Sequence, residues 1–277
     1  MYEYILKEVS NQKQKNEFQN ALNLLENNIK EIENKYSKES LEYFNMAKEL
    51  CEICNLIAEK FYDNGKFNEG LNYLEKSIKL FANFKEIQYL CNNNLGNYYR
   101  KLGELNKAYD SFTRSIELGL LFHNKKIIGE GYINCGIILL LMEMFDKSIE
   151  LCLSGIILLQ ECLLNKKDLS NDIYNILNNA YTSIALCYYK KKNFLESLLY
   201  YDISEKLNKK LEIEYTNTIL NDETKYKMLT EILNQLEKEK LLDKTEKMSN
   251  NYMIEKIKNL ISQIEEKNSW NSLMNFA

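Results

Sequence analysis

Seven cysteines and a single histidine are the residues of this chain most able to ligate a metal or act as nucleophiles. Cys51-Glu52-Ile53-Cys54 is a CxxC pair, a spacing that elsewhere serves zinc or thiol redox chemistry. Zinc would need four ligands, yet the cysteines at 91, 135, 152, 162 and 187 offer no second pair at ligand spacing, and His123 stands alone. Cys51 and Cys54 fall inside an apolar helical pattern and are expected as small core residues, while His123 is expected in a turn. The odd count and the lack of a disulfide framework point to reduced thiols in a cytosolic, reducing compartment. Gly129-Glu130-Gly131 lacks the third glycine and the preceding strand of a dinucleotide loop, and no GxxxxGK[ST] motif occurs. Carboxylates are plentiful, but no pair stands out as acid and base. The expectation is therefore no enzymatic activity, no cofactor and no metal.

Asparagine offers a different kind of chemistry. Its side-chain amide both donates and accepts, so it matches a peptide group and can hold a bound backbone whatever that backbone's side chains are. Asn93, Asn94 and Asn97 cluster before Arg100 and Lys101, and Asn134 stands one step before Cys135-Gly136 as Asn94 does before Leu95-Gly96. The plainer reading is compositional: the chain is rich in asparagine throughout.

What positions these residues is a repeat. Asn16–Ala21, Gly65–Gly70, Gly103–Ala108, Glu143–Ser148 and Lys192–Ser197 are five copies of one short turn followed by an apolar and a small residue. In the third copy Leu95-Gly96 and Tyr99 precede Gly103, and Ala108, Phe112 and Ser115 follow on one stripe. The second offers Ala58, Phe61, Gly65, Gly70, Leu74 and Ser77; the fourth Gly136, Leu139, Ser148, Cys152 and Gly155; the fifth Ala185, Tyr188, Ser197, Tyr201 and Ser204. The first is degenerate, keeping Asn16, Phe18, Ala21 and Leu25. Glu143 and Lys192 stand where glycine would favour a left-handed helix end.

Over residues 2 to 210 this pattern resembles the tetratricopeptide (TPR) repeat, with Leu-Gly, Tyr, Gly, Ala and Phe at the spacings quoted. The resemblance implies an all-α, right-handed superhelical solenoid of about five helix pairs, in which residues 1–210 form the array. Turn-to-turn spacings of 38, 40 and 49 residues exceed the commonest repeat of about 34. Such long repeats resemble kinesin light chains, spindle-orientation adaptors and bacterial peptide-pheromone receptors. In this family the first helix of each pair lines a concave face. The resemblance thus implies that Asn93, Asn94, Asn97, Arg100, Lys101, Asn134, Ile137 and Leu141 face a ligand, with Asn94 and Asn134 as rungs of an asparagine ladder. Leu56 and Ser183 hold that rung in the second and fifth copies. Ile133, Ile137, Leu140 and Leu141 are expected to place apolar area on the same face, unless it is covered internally. Glu59 and Glu130 would repel a C-terminal carboxylate, which disfavours a chaperone-tail clamp.

The rest of the composition agrees. No proline occurs, where average usage of roughly 5% would give about fourteen, so long helices meet few forced breaks. A net charge of −4 without a basic stripe argues against nucleic acid as partner. The N-terminal stretch shows no secretory leader, and the longest apolar runs, 137–142 and 156–159, are too short for a bilayer, so no membrane association is expected. After the fifth copy, Tyr226, Leu229, Ile232, Leu233 and Leu236 form one amphipathic stripe and Ile254, Ile257, Ile261 and Ile264 another, separated by a polar break at 243–250, with Ser249 as N-cap. Residues 211–277 are expected to cap the array.

The functional expectation is a cytoplasmic scaffold or adaptor that binds an extended or helical segment of a partner protein on its concave face. Two others stand beside it: a structural subunit of a cytoskeletal or ciliary assembly, and a peptide receptor autoinhibited by its C-terminal helix.

Overall fold

The computed structural model describes residues 2–37, 40–82, 84–164, 171–211, 226–234, 237, 254, 255, 257–259, 261, 262 and 265. Its named helices are α1 (Tyr2–Gln14), α2 (Phe18–Tyr36), α3 (Leu41–Asp63), α4 (Phe67–Leu80), α5 (Lys85–Lys101), α6 (Leu105–Leu121), α7 (Lys125–Leu141), α8 (Phe145–Leu164), α9 (Asn171–Lys190) and α10 (Phe194–Leu211). Residues 226–234 add a further helical segment. Among the described residues no strand occurs, and no helix is long and apolar enough to cross a membrane.

The five aligned turns are one structure. Asn16, Gly65, Gly103, Glu143 and Lys192 all have positive φ, between 59° and 76°. In each, the left-handed residue donates its N–H three residues back and the next residue donates five back, as Gly103 does to Arg100 and Glu104 to Tyr99. This pair of bonds satisfies carbonyls left over at the end of the first helix and reverses the chain. The second helix then starts alike in all five: the small residue, Ala21, Gly70, Ala108, Ser148 or Ser197, donates to the carbonyl four residues back. His123, at φ 50°, makes the same turn between α6 and α7, and Asn124 caps α7 by accepting from Lys126 and Ile127 N–H.

Small residues bring the paired helices together. A Cβ on Gly70 would lie 2.9 Å from the Ala58 carbonyl oxygen, twelve residues earlier. At the same separation Ser148 Oγ donates to the Gly136 carbonyl at 2.7 Å, and Ser197 Oγ to Ala185 at 2.8 Å. Aromatics fill the remaining width. Phe61 stacks on Tyr73 at 5.6 Å, and Phe112 is fully buried against Gly96. Successive pairs stack on one another, α2 on α3, α4 on α5 and α6 on α7, while the first helices α3, α5 and α7 run side by side.

The chain comprises two compact units, Met1–Ala180 and Tyr181–Ala277, whose boundary falls inside α9. In the second unit, Tyr188 and Tyr200 stack at 5.6 Å between α9 and α10, and Thr182 and Ser204 hydrogen-bond at 2.9 Å. Met228, Leu229 and Ile232 are buried there, with Met228 sulfur accepting from Ser197, and Glu231 is held by Tyr189 and Lys192. Tyr226 is exposed and donates to Glu265; the buried stripe of this segment runs through Met228 instead. Ile254 and Ile257 are buried. Leu236, Ser249, Ile264 and the break at 243–250 lie outside the described residues.

Candidate functional site

Helical spacing centres one face of α5 on Asn97, with Asn93 and Arg100 toward one edge and Asn94 and Lys101 toward the other. The side-chain contacts follow that division. Toward α7, Asn93 donates to the Glu130 carboxylate at 2.9 Å and accepts from Asn134 Nδ2 at 2.9 Å. Toward α3, the Lys101 amino group pairs with Glu59 at 3.1 Å. Asn134 is thus a partner of Asn93, one residue earlier than the rung the sequence suggested. These contacts join residues 37, 41 and 42 positions apart, close to the repeat period, as neighbouring first helices require.

Three residues of the face remain uncommitted. Asn94 and Asn97 make no side-chain hydrogen bond among the described residues, and no described carboxylate pairs with Arg100. Arg100 is half-buried, and desolvation pulls its pKa down from the ordinary guanidinium value. A partly desolvated cation with no counter-charge among the described residues is a costly arrangement that an incoming acceptor would relieve. Asn94 also lines a cavity of about 130 Å³ with Lys48, Cys51, Glu52, Asn55 and Leu90, between α3 and α5. Another cavity, of about 420 Å³, lies at the α1–α2 turn between Phe18, Lys60 and Phe61 and includes none of these residues.

Most of the apolar part of the face is buried. Ile137 is only 4% exposed and Ile133 and Leu140 are buried, whereas Leu141 is 50% exposed. The reason is that α7 is apolar on nearly every side. Ile133 turns toward α8, where its Cγ1 lies 2.6 Å from the point a Gly155 Cβ would occupy. Ile137 therefore serves the core, and Leu141 alone of these four presents a large apolar surface.

Glu130 gives the face a pH-dependent component. Desolvation raises its pKa and Asp172 adds to the rise, against the hydrogen bond from Asn93 and the charge of Lys126. A carboxyl whose folded pKa lies above its unfolded one stabilises the fold while protonated. That contribution is lost as pH rises from the unfolded pKa through the folded one. Glu130→Gln keeps an acceptor for Asn93 and removes the buried charge. It is expected to melt a few degrees higher than the wild type at neutral pH, with the gain vanishing below about pH 4, the unfolded range of a glutamate. Thermal melts across pH check this, and a gain of equal size at acid pH would contradict it.

The CxxC pair lies in the core of α3, and burial pushes the Cys54 thiol up to about 12. Sequence reasoning missed the neighbour of Cys51. Its sulfur lies 3.1 Å from Cys91 on α5, 40 residues on, and the one available signal was a separation near the repeat period.

No known protein family matches the chain, and no curated protein matches it. Among solved structures, the apo form of RapI is similar over 97% of this chain and 98% of its own, at 14% identity and a TM-score of 0.57. BtubC (BKLC) from P. vanneervenii is similar over 78% of this chain and 82% of its own, at 14% identity and a TM-score of 0.55. A putative kinesin light chain from Podosopora anserina with nearly identical TPR-like repeats covers 76% of this chain and 97% of its own, at 13% identity and a TM-score of 0.47. At such identities the likeness to RapI and BtubC is one of fold, and together with the repeated turns and seams it makes this chain a TPR-like, all-α helical-repeat protein.

Proposed function

We propose that the protein is a non-enzymatic scaffold that binds an extended or helical segment of a partner protein along the face formed by α3, α5 and α7. The observation that carries this reading is the set Asn94, Asn97 and Arg100 on one face of α5, for which no side-chain hydrogen bond or ion pair is found among the described residues. Two amides can hold a peptide backbone, and the guanidinium can take a carboxylate or a run of carbonyl oxygens. Leu141 adds an apolar contact at the end of α7, while Asn93, Glu130 and Asn134 hold α5 and α7 in place beside each other. Glu59 and Lys101 neutralise one another at the opposite edge.

A hydrogen bond to a charged group contributes roughly 1.5–3 kcal/mol, so Arg100→Ala is expected to weaken the partner by about tenfold to a hundredfold. Asn94→Ala with Asn97→Ala should weaken it further, with melting nearly unchanged. The check is affinity purification from the native cell with wild type and the triple variant in parallel, followed by titration of the protein that is lost. A co-purifying set that survives the triple change would refute the reading.

A permanent subunit of a larger assembly is the second reading. It is favoured by Ile157 and Leu164, 57% and 81% exposed and two turns apart on α8. Gel filtration separates the two, since a well-behaved monomer disfavours the obligate subunit.

A further inference from the structure

Cys51 and Cys91 face each other across α3 and α5 with their sulfurs 3.1 Å apart, both almost wholly buried. These are the first helices of the second and third pairs, so the two thiols sit at the junction between repeats. Cys51 also lines the 130 Å³ cavity that Asn94 shares, which brings a small void up to one member of the pair. Cys54, although closer in sequence to Cys51, lies on the same helix and its thiol is held protonated by burial.

We propose that Cys51 and Cys91 are a modification site: a dithiol that a small peroxide converts reversibly to a disulfide, stapling α3 to α5 beside the proposed binding face. The chemistry balances with hydrogen peroxide as the oxidant. The thiolate of the pair attacks one peroxide oxygen; the S–O bond forms, the O–O bond breaks, and hydroxide leaves and is protonated to water. The neighbouring sulfur then attacks the sulfenic sulfur, forming S–S and breaking S–O, with release of a second water. Two thiols and one peroxide give one disulfide and two waters, the two electrons coming from sulfur. The hydrogen bond from Cys51 lowers the Cys91 pKa and so favours Cys91 as the thiolate of the first step, while Cys51, held protonated, attacks second and gives up its proton to the departing hydroxyl. Closing from 3.1 Å to a bond of about 2.05 Å requires only a small approach of the two side chains.

The experiment uses the full chain, reduced and then treated with stoichiometric hydrogen peroxide, followed by alkylation, trypsin digestion and mass spectrometry. The expected result is loss of two hydrogens from the intact mass and one dominant cross-link between peptides 49–60 and 86–100, with fragment ions placing it at Cys51 and Cys91. Dithiothreitol should reverse it, and the oxidised form should melt at a higher temperature because the unfolded chain is constrained. Cys54→Ala should keep the cross-link and Cys51→Ala should abolish it. Should either variant fold poorly, the wild-type fragment ions alone decide. Persistence of both thiols, a link through Cys54, or oxidation only to sulfinic acid would overturn the proposal. None of these outcomes depends on partner binding.

Discussion

Replacing Phe112 by alanine is expected to lower the stability of the first unit by about 3–5 kcal/mol, the cost of a large aromatic cavity that its surroundings cannot close. Phe112 is fully buried between α5 and α6, and the atoms nearest to Gly96 are those of its ring. Because Gly96 has no side chain, nothing at that position can swing into the void, and full collapse would require the helices to shift. Phe112→Leu should cost distinctly less. Chemical denaturation followed by circular dichroism checks both. A loss below about 1 kcal/mol for the alanine would mean that the seam closes on itself, contrary to the close packing expected of a protein interior.

Gly155→Val is expected to be comparably damaging for the opposite reason. A Cβ there would lie 2.6 Å from the Gly129 carbonyl oxygen and 2.6 Å from Ile133 Cγ1. A helix carbonyl cannot rotate away, so α7 and α8 must separate along their length. Overpacking typically costs about 1–3 kcal/mol, and a backbone obstacle places this change at about 3 kcal/mol or more. Gly103→Ala is the useful contrast. A Cβ at Gly103 meets nothing within 4 Å, and its penalty is torsional, roughly 1–2 kcal/mol. If the two substitutions lowered the melting temperature equally, the seam would not be limited by space.

The helix pairs were legible because the repeat carries two signals at once, a turn and a small residue at a fixed distance from it. Register succeeded even where residue type was silent. Glu143 and Lys192 adopt the left-handed state that Gly65 and Gly103 adopt, and the same two backbone bonds close all five turns. Side-chain direction was less legible. An isoleucine on a first helix reads as groove-lining from its repeat position, but on α7, apolar almost all round, Ile133 and Ile137 are core residues. Among the asparagines, the sequence located the cluster and not its pairing. Asn134 reaches Asn93 because the offset between α5 and α7 is set by core packing, which no single residue reveals. The Cys51–Cys91 approach was hidden for the same reason, being a contact between repeats and not within one.

The turns have a consequence for how such a chain can change over time. Since a side chain at Gly65 or Gly103 would meet only open space, what glycine contributes there is torsional freedom, and Asn16, Glu143 and Lys192 do without it. The glycines at the α7–α8 seam have no such latitude, because their neighbours leave no volume. Drift in the sequence is therefore cheap at the bends and costly between the helices, so an array of this kind can lose its recognisable turn residues while keeping its register.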